Sequence, residues 1–445
     1  MRRITRIQQQ CFIGLIFVIV FLCFQFRVLF RYHDDDETTS WIHNRLITNS
    51  NTTTTRQKEQ KLLKHEKYIL LYNSYWGQSN FQITNPTLTC PITGRHCHIL
   101  ERENKSHTTV HAIVMHGHQF RLDGPIHDDL VQHYRHLDHQ PYFVFFNLEP
   151  PSSTTTTTTT AVYNDFWNWT MTYRTDSDIV RPYGYFEKVQ RDEATTNQSL
   201  SYLARRPKLV AWMVSHCSTR SRREDYVREL QKYIPLDIFG TCGAVSCNAT
   251  HRQQYAQNTN NCSSLLERDY KFYLSFEQVW ANDYVTEKFF LQALQHKLVP
   301  IVLGPHQNYQ TRMPTRSYIH VLDYQSPQTL ASYLQYLDQH DEEYLSYLEW
   351  HRHYTVVTNT TRLQHEAFTK LCTKLHTSTT TTKTYSKFQE WWWNITTTEN
   401  KEFSAYLDQL PNTTTSMTMA NTQASQVQSS ILHQQHVRRI PFSTN

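Results

Sequence analysis

The sequence predicts an α/β protein built on parallel sheets. Short runs dense in β-branched and aromatic residues recur from Tyr68 to Gly304, and after Pro207 they alternate with charged segments of helical length. Hydrophobic content of 39%, with 27 Tyr and 22 Phe, is enough for sizeable cores and excludes a wholly disordered chain. At 445 residues there is room for two ordinary domains and accessory segments.

The elements follow in order. Arg2, Arg3 and Arg6 precede an apolar run from Cys11 to Phe24, which reaches Phe30 if Gln25 and Arg27 snorkel. The extended run has the length of about 20 residues that a membrane span needs. A cleaved signal peptide is the rival, but the first fifty residues lack alanine and offer no small-residue cleavage site. Residues 1–10 are therefore expected as a cytoplasmic tail and 11–30 as a transmembrane signal anchor. Asp34, Asp35, Asp36 and Glu37 favour a cytoplasmic N-terminus. Residues 31–67 form a polar, Thr/Asn-rich stem.

The first domain, residues 68–206, opens on YILLYN (Tyr68–Asn73) and continues with strands at Val110–Met115 and Pro141–Asn147. The threonines of Thr154–Thr160 make a loop, read as low complexity rather than an O-glycan carrier. The second domain, residues 207–375, reads strand (Lys208–Ser215), helix (Ser221–Tyr233), strand (Leu236–Gly240) and strand (Tyr270–Glu277). A helix over Asp283–Lys297 with an acidic cap, a strand over Leu298–Gly304 and a helix over Ser326–Gln339 follow. From 376 to 445 the chain is expected as a low-complexity, largely disordered tail with one possible packed patch at Trp391–Trp393.

A lumen is suggested twice. N-x-S/T sequons stand at Asn51, Asn104, Asn168, Asn197, Asn248, Asn261, Asn359, Asn394 and Asn412. Seven of nine cysteines lie beyond the apolar run, and Cys90/Cys97 with the cluster Cys242, Cys247, Cys262 read as disulfide material. A zinc site is weaker, since no C-x-x-C or H-x-x-x-H spacing accompanies the cluster. The net charge of +5 is scattered, with no basic arm for a nucleic-acid partner.

Parallel sheets bind ligands beyond the carboxyl ends of their strands. Glu277 and Gln278 stand there, as does the stretch Asp283-Tyr284-Val285-Thr286-Glu287-Lys288. A carboxylate can accept ribose hydroxyls while a lysine and a helix N-terminus attract phosphate. From spacing alone, an exposed Glu-Lys pair is the plainer reading.

The run YKFYLSFEQVWANDYVTEKFFLQALQHKLVPIVLGP (Tyr270–Pro305) resembles the donor-binding signature of the α1,3-fucosyltransferase family. VAWMVSHCSTRSRREDYVREL, FFNLEPP (Phe145–Pro151) and FWNWTMTYRTDSDIVRPYGYF (Phe166–Phe186) resemble further family motifs, in the family's order. The resemblance implies two Rossmann-like domains facing a cleft (the GT-B arrangement), GDP-fucose as donor, a glycan acceptor and inversion. It also implies Golgi membrane attachment by one N-terminal helix. Carried over by motif, Glu149 is the expected general base. Arg223 is expected near the diphosphate, Glu287 and Lys288 at ribose and phosphate, and Glu277, Gln278 and Tyr284 beside the donor, with a core tyrosine the equal alternative for Tyr284.

Gln278 stands where the family has Asn, and Thr369 where many members have the first Cys of a C-x-x-C, leaving Cys372 as a candidate unpaired thiol. Asp176 and Asp178 make a D-x-D pair, read as structural, so neither a cofactor nor an essential metal is expected. His116 and His118 are candidate acceptor or donor contacts in a loop. The rival readings are an inactive, sugar-binding relative and a mucin-like membrane glycoprotein.

Overall fold

A computed structural model describes residues 66–101, 109–117, 134, 140–151, 164–189, 200–243, 260–378, 383–393 and 397–409. The expected anchor lies outside them, and so does the stem except for residues 66 and 67, of which Lys67 already begins the first strand. Among the described residues no helix is long and apolar enough to cross a membrane.

Two mostly parallel sheets organise the chain. The first has seven strands: β1 (Lys67–Leu71), β2 (Thr87–Thr89), β3 (His96–Glu101), β4 (Ala112–His116), β5 (Tyr142–Asn147), β6 (Trp169–Thr172) and β7 (Ile179–Val180). Their order is β2-β3-β1-β4-β5-β6-β7, and only the β2–β3 pair is antiparallel. Alternation is strict: Ile69, Leu71, Val114 and Phe146 pack on one face, Leu70, Tyr72, Met115 and Phe145 on the other. Both faces are buried, which is why these strands read as near-continuous apolar runs.

The second sheet has β9 (Lys208–Met213), β10 (Leu236–Phe239), β11 (Tyr270–Phe276), β12 (Val299–Leu303) and β13 (Ile319–His320) in the order β10-β9-β11-β12-β13, all parallel. The helix Arg223–Leu230 and the helix Pro327–Gln339, started by a Ser326 capping box, bury their apolar stripes in its core. The strands β8 (Tyr185–Lys188) and β14 (Tyr354–Val357) form a separate antiparallel pair.

The end of the chain departs from expectation. The helix Thr360–Thr377 buries Ala367, Phe368 and Leu371 against the first sheet. Phe388 and Trp392 pack on that sheet's other face, with Trp391 and Trp393 against them, as the expected patch at Trp391–Trp393 had it. The helix Thr397–Gln409 returns to the second half and buries Phe403 and Leu407. Order thus extends well past residue 376, because hydrophobic residues spaced for a helix punctuate the Thr-rich composition.

The disulfides also differ. Cys97 pairs with Cys372 and Cys217 with Cys242, while Cys90 is buried and free. In the β2–β3 hairpin Leu88, not Cys90, stands opposite Cys97, and the Cys90 amide donates to the Arg95 carbonyl instead. Cys372 is therefore not the unpaired thiol.

Candidate functional site

Glu149 sits two residues beyond β5, in a turn where its amide donates to Asn147 Oδ1 at 3.0 Å. The Tyr183 hydroxyl reaches the carbonyl of the preceding residue, Leu148, at 2.6 Å. Burial pushes the Glu149 carboxyl up to about 7; the nearby charges of Glu287 and Glu277 push the same way and Lys288 opposes them. A carboxyl poised near neutrality suits proton abstraction. The end of β5 thus lies within electrostatic reach of Glu277, Glu287 and Lys288.

On the other side, Glu277 follows β11 and is 2% exposed. Its carboxylate accepts from the Thr286 amide at 2.9 Å and the Thr286 hydroxyl at 2.8 Å, and pairs with Lys288 Nζ at 3.2 Å. Lys288 Nζ also reaches Thr286 Oγ1 at 2.9 Å and Glu287 Oε1 at 3.0 Å. Burial works to lower the Lys288 pKa, but Glu277 and Glu287 outweigh it and hold the ammonium charged. Burial raises Glu277 against the pull of Lys288. Desolvation works against the Glu287 charge as well, and Lys288 overcomes it. The result is one cation fixed between two carboxylates, with Glu287 the more exposed of them.

The helix expected over Asp283–Lys297 is a π-helix over Lys288–Leu294, and Asp283 does not cap it. Asp283 has a φ of 61°, and its carboxylate accepts from the Thr175 amide at 2.9 Å and hydroxyl at 2.7 Å. It clasps the β6–β7 loop to the Asp283–Lys288 segment. A π-turn is uncommon and tends to mark functional positions.

Arg223 opens the helix Arg223–Leu230, but its side chain is only 3% exposed. It donates to the carbonyls of Phe276 at 2.5 Å and His216 at 3.3 Å and lies over the Trp212 ring. The guanidinium thus braces the carboxyl end of β11 from beneath. Gln278 is half-buried, and its carbonyl accepts from the Ser221 amide at 3.1 Å.

Of the two readings for Tyr284, a donor contact or a core tyrosine, its burial favours the second. It is 3% exposed and meets Tyr173 and Tyr183 edge-on. His116 is not in a loop either: it ends β4, fully buried, with Nδ1 3.3 Å from the Ser74 carbonyl and its ring against Tyr75. His118 lies outside the described residues.

The D-x-D pair is engaged structurally. Asp176 bonds Arg174 at 2.7 Å and the Trp391 indole at 2.9 Å. Asp178 accepts from the Thr170 amide at 3.0 Å and the Tyr385 hydroxyl at 2.7 Å. Among the described residues, His306, His320 and Asp323 also cluster, but both ring nitrogens of His320 are committed, to Gly304 and Leu322.

Two sequons can be judged. Asn168 is buried: its Oδ1 accepts from the Phe143 amide and its Nδ2 donates to the Lys383 carbonyl. The folded protein therefore leaves no amide there for a glycan. Asn359 is exposed and caps the helix Thr360–Thr377 through Oδ1, so the cap does not use its Nδ2. Asn261 lies in the helix Asn260–Asp269. Asn51, Asn104, Asn197, Asn248, Asn394 and Asn412 fall outside the described residues.

Tyr183 and Asp283 escape a reading by residue chemistry, because neither bears a reacting group. Their signal was the motif context: both sit in the quoted DSDIVRPYGYF and DYVTEK runs. Gly184 belongs to the same contact, since a Cβ there would lie 2.5 Å from the Phe290 ring.

Comparison with known proteins agrees with this arrangement. Residues 64–184 match the model of the fucosyltransferase N-terminal domain, and residues 203–391 match that of the glycosyltransferase family 10 (fucosyltransferase) C-terminal domain. The alpha-(1,3)-fucosyltransferase C of Drosophila melanogaster is 31% identical over 366 residues, 74% of this chain and 80% of the relative. The Drosophila glycoprotein 3-alpha-L-fucosyltransferase A is 46% identical over 188 residues, covering 41% of this chain and 35% of the relative. The Caenorhabditis elegans alpha-(1,3)-fucosyltransferase fut-1 is 34% identical over 218 residues, 48% of each chain. The match thus spans less than half the length of the last two relatives and four fifths of the first. On this evidence, the chain belongs to glycosyltransferase family 10, the fucosyltransferases.

Proposed function

We propose that this protein transfers L-fucose from GDP-β-L-fucose to a GlcNAc hydroxyl of a glycan, in α1,3 linkage and with inversion. The observation that carries the reading is Glu149, a carboxyl raised to about 7 beside the Glu277–Lys288–Glu287 group. In the reaction the acceptor oxygen attacks C1 from the face opposite GDP. The hydroxyl proton passes to the Glu149 carboxylate, and the bond from C1 to the phosphate oxygen breaks with its electron pair leaving on GDP. A positioned base of this kind contributes about 10²–10⁴-fold. The Lys288 ammonium is placed to meet the charge that develops on the diphosphate. Glu287, the more exposed carboxylate, is the candidate for ribose hydroxyls.

The proposal includes the GT-B arrangement of the two sheets around the site. It also includes a Golgi membrane setting through the apolar segment 11–30, with the catalytic portion luminal. It assigns no essential metal, because lysine supplies the cation and the carboxylates of Asp176 and Asp178 are held by protein donors.

The test is to incubate the purified protein with GDP-fucose and either core N-glycan or N-acetyllactosamine, with and without EDTA. One deoxyhexose should be gained by an acceptor and should persist under chelation. Binding of GDP without any transfer would favour the inactive, sugar-binding relative. Activity lost to EDTA and restored by Mn²⁺ would overturn the metal assignment.

A further inference from the structure

The helix Thr397–Gln409 lies beyond residue 391, where the match to the family ends, so no family motif says what it does. Phe403 and Leu407 stand four apart, hence on one face, and both are buried in the core of the second half.

β9 and β11 are adjacent and parallel, so their carboxyl ends share one edge of the second sheet. Ligands of such sheets bind beyond that edge. Two loops leave it, residues 214–222 after β9 and residues 277–287 after β11. The Ser221 amide ties one loop to the other, donating to the Gln278 carbonyl at 3.1 Å. Arg223 adds a second tie through the Phe276 carbonyl.

The helix Thr397–Gln409 takes hold of both loops. Phe403 is 1% exposed, and its ring centre lies 5.2 Å from that of Trp280 and 6.0 Å from that of Tyr226. Trp280 stands two residues after Gln278, and Tyr226 stands one turn into the helix Arg223–Leu230. From the first loop, Arg222 donates to Asp408 Oδ1 at 2.7 Å and to the Ser404 carbonyl at 3.3 Å.

Arg222 does so from left-handed backbone, with a φ of 54°, which is unfavourable to any residue with a side chain. Glycine would sit there without strain but would bring no guanidinium to Asp408. Residues held in sparsely populated backbone gather where a structure clamps something. The Arg222–Asp408 pair is largely in water, so its own contribution is small and screened by salt. Burial of Phe403 supplies the grip, and the pair sets its register.

We infer that the helix Thr397–Gln409 is a positioning element for the nucleotide donor, with Phe403 and Asp408 as its positioning residues. They hold the loop before Arg223 and the loop after β11 at the spacing a nucleoside diphosphate needs, and act only through those loops. The identity of the ligand rests on the fucosyltransferase reading, and the test keeps the two apart.

Phe403→Ala should weaken GDP binding about fivefold or more by calorimetry, with acceptor KM at saturating donor little changed. Asp408→Lys, an exposed change that spares the core, should move GDP affinity the same way by less. Linkage demands the converse, so GDP should slow hydrogen exchange across 397–409 in the wild type. A helix that only added stability would show neither coupling. Hydrogen exchange also reads the loops without any donor. In Phe403→Ala the Ser221 amide should exchange faster while the amides of β4 and β5 keep their rates. Should the wild type fail to bind GDP, the fucosyltransferase reading falls and this arm still decides the inference. An unaltered Ser221 rate in folded Phe403→Ala overturns it. So does undiminished GDP affinity in that variant, and so does a rise in acceptor KM alone, which would assign the helix to the acceptor side.

Discussion

The Tyr183 hydroxyl donates to the Leu148 carbonyl at 2.6 Å, one residue before Glu149, while its ring packs edge-on against Tyr284, two residues before Thr286. Burial raises the Tyr183 pKa well above its ordinary value, and the Glu149 charge adds to the effect, so the phenol stays a donor at every working pH. Tyr183→Phe keeps the packing and removes the bond. It should cost about 1–2 kcal/mol of stability and lower kcat with GDP affinity unchanged. A parallel loss of GDP binding in a calorimetric titration would show that Tyr183 supports the donor pocket rather than the base.

Glu149→Gln should lower kcat by about 10²-fold or more, since an amide cannot take the hydroxyl proton. The wild-type kcat/KM should climb as pH rises through about 7, where Glu149 ionises, and that limb should vanish in the variant. Stability runs the other way. The folded pKa lies above the ordinary 4.5, so the charged form is disfavoured by folding, and its cost grows from pH 4.5 to about 7. Glu149→Gln should therefore melt higher than the wild type above pH 7, with the gap closing below about 4.5. A variant with wild-type kcat would remove Glu149 from the mechanism.

Lys288→Ala deletes the cation facing the expected diphosphate and should weaken GDP binding about tenfold or more. It also leaves Glu277 buried without its ion pair, a loss of about 3–5 kcal/mol if the carboxylate stays charged. Pairing it with Glu277→Gln should restore stability without restoring GDP affinity. Isothermal titration with GDP reads the affinity, and wild-type affinity in either variant would contradict the donor assignment.

The two judged sequons should part company. Thr361→Ala removes the Asn359 sequon while sparing the asparagine cap, and should lower the mass of the expressed protein by one N-glycan. Peptide mapping should find Asn168 unmodified, because its amide is consumed by Phe143 and Lys383. A glycan on Asn168 would require that loop to be open when the transfer occurs.

What was legible in the sequence follows burial. PYFVFFN and LVPIVLG stand out because β5 and β12 are covered on both faces and carry apolar residues without interruption. The two-residue strands Ile179–Val180 and Ile319–His320 are too short to leave a period. Phe403 and Leu407 are spaced four apart on one helix face, yet the Thr-rich composition around them hid the signal. Asp283 reads as a cap because a helical pattern follows it, but its carboxylate is drawn to Thr175, 108 residues away, and only the folded chain brings them together. Arg223 was singled out by motif, and its bond to the Phe276 carbonyl shows that a motif names a position without fixing which atoms it serves.

The Cys97–Cys372 bond closes 275 residues of sequence. A ribosome adding about 5–20 residues per second emits the two cysteines roughly 15–55 s apart. Through that interval the first sheet has one face without the helix Thr360–Thr377 and the other without Phe388 and Trp392. Cys97 waits that long for its partner, while Cys90, buried and free, is made seven residues before it. The amino-terminal half is thus made first and finished last, and nascent chains stalled before residue 372 should be the substrates that chaperones and thiol isomerases hold longest.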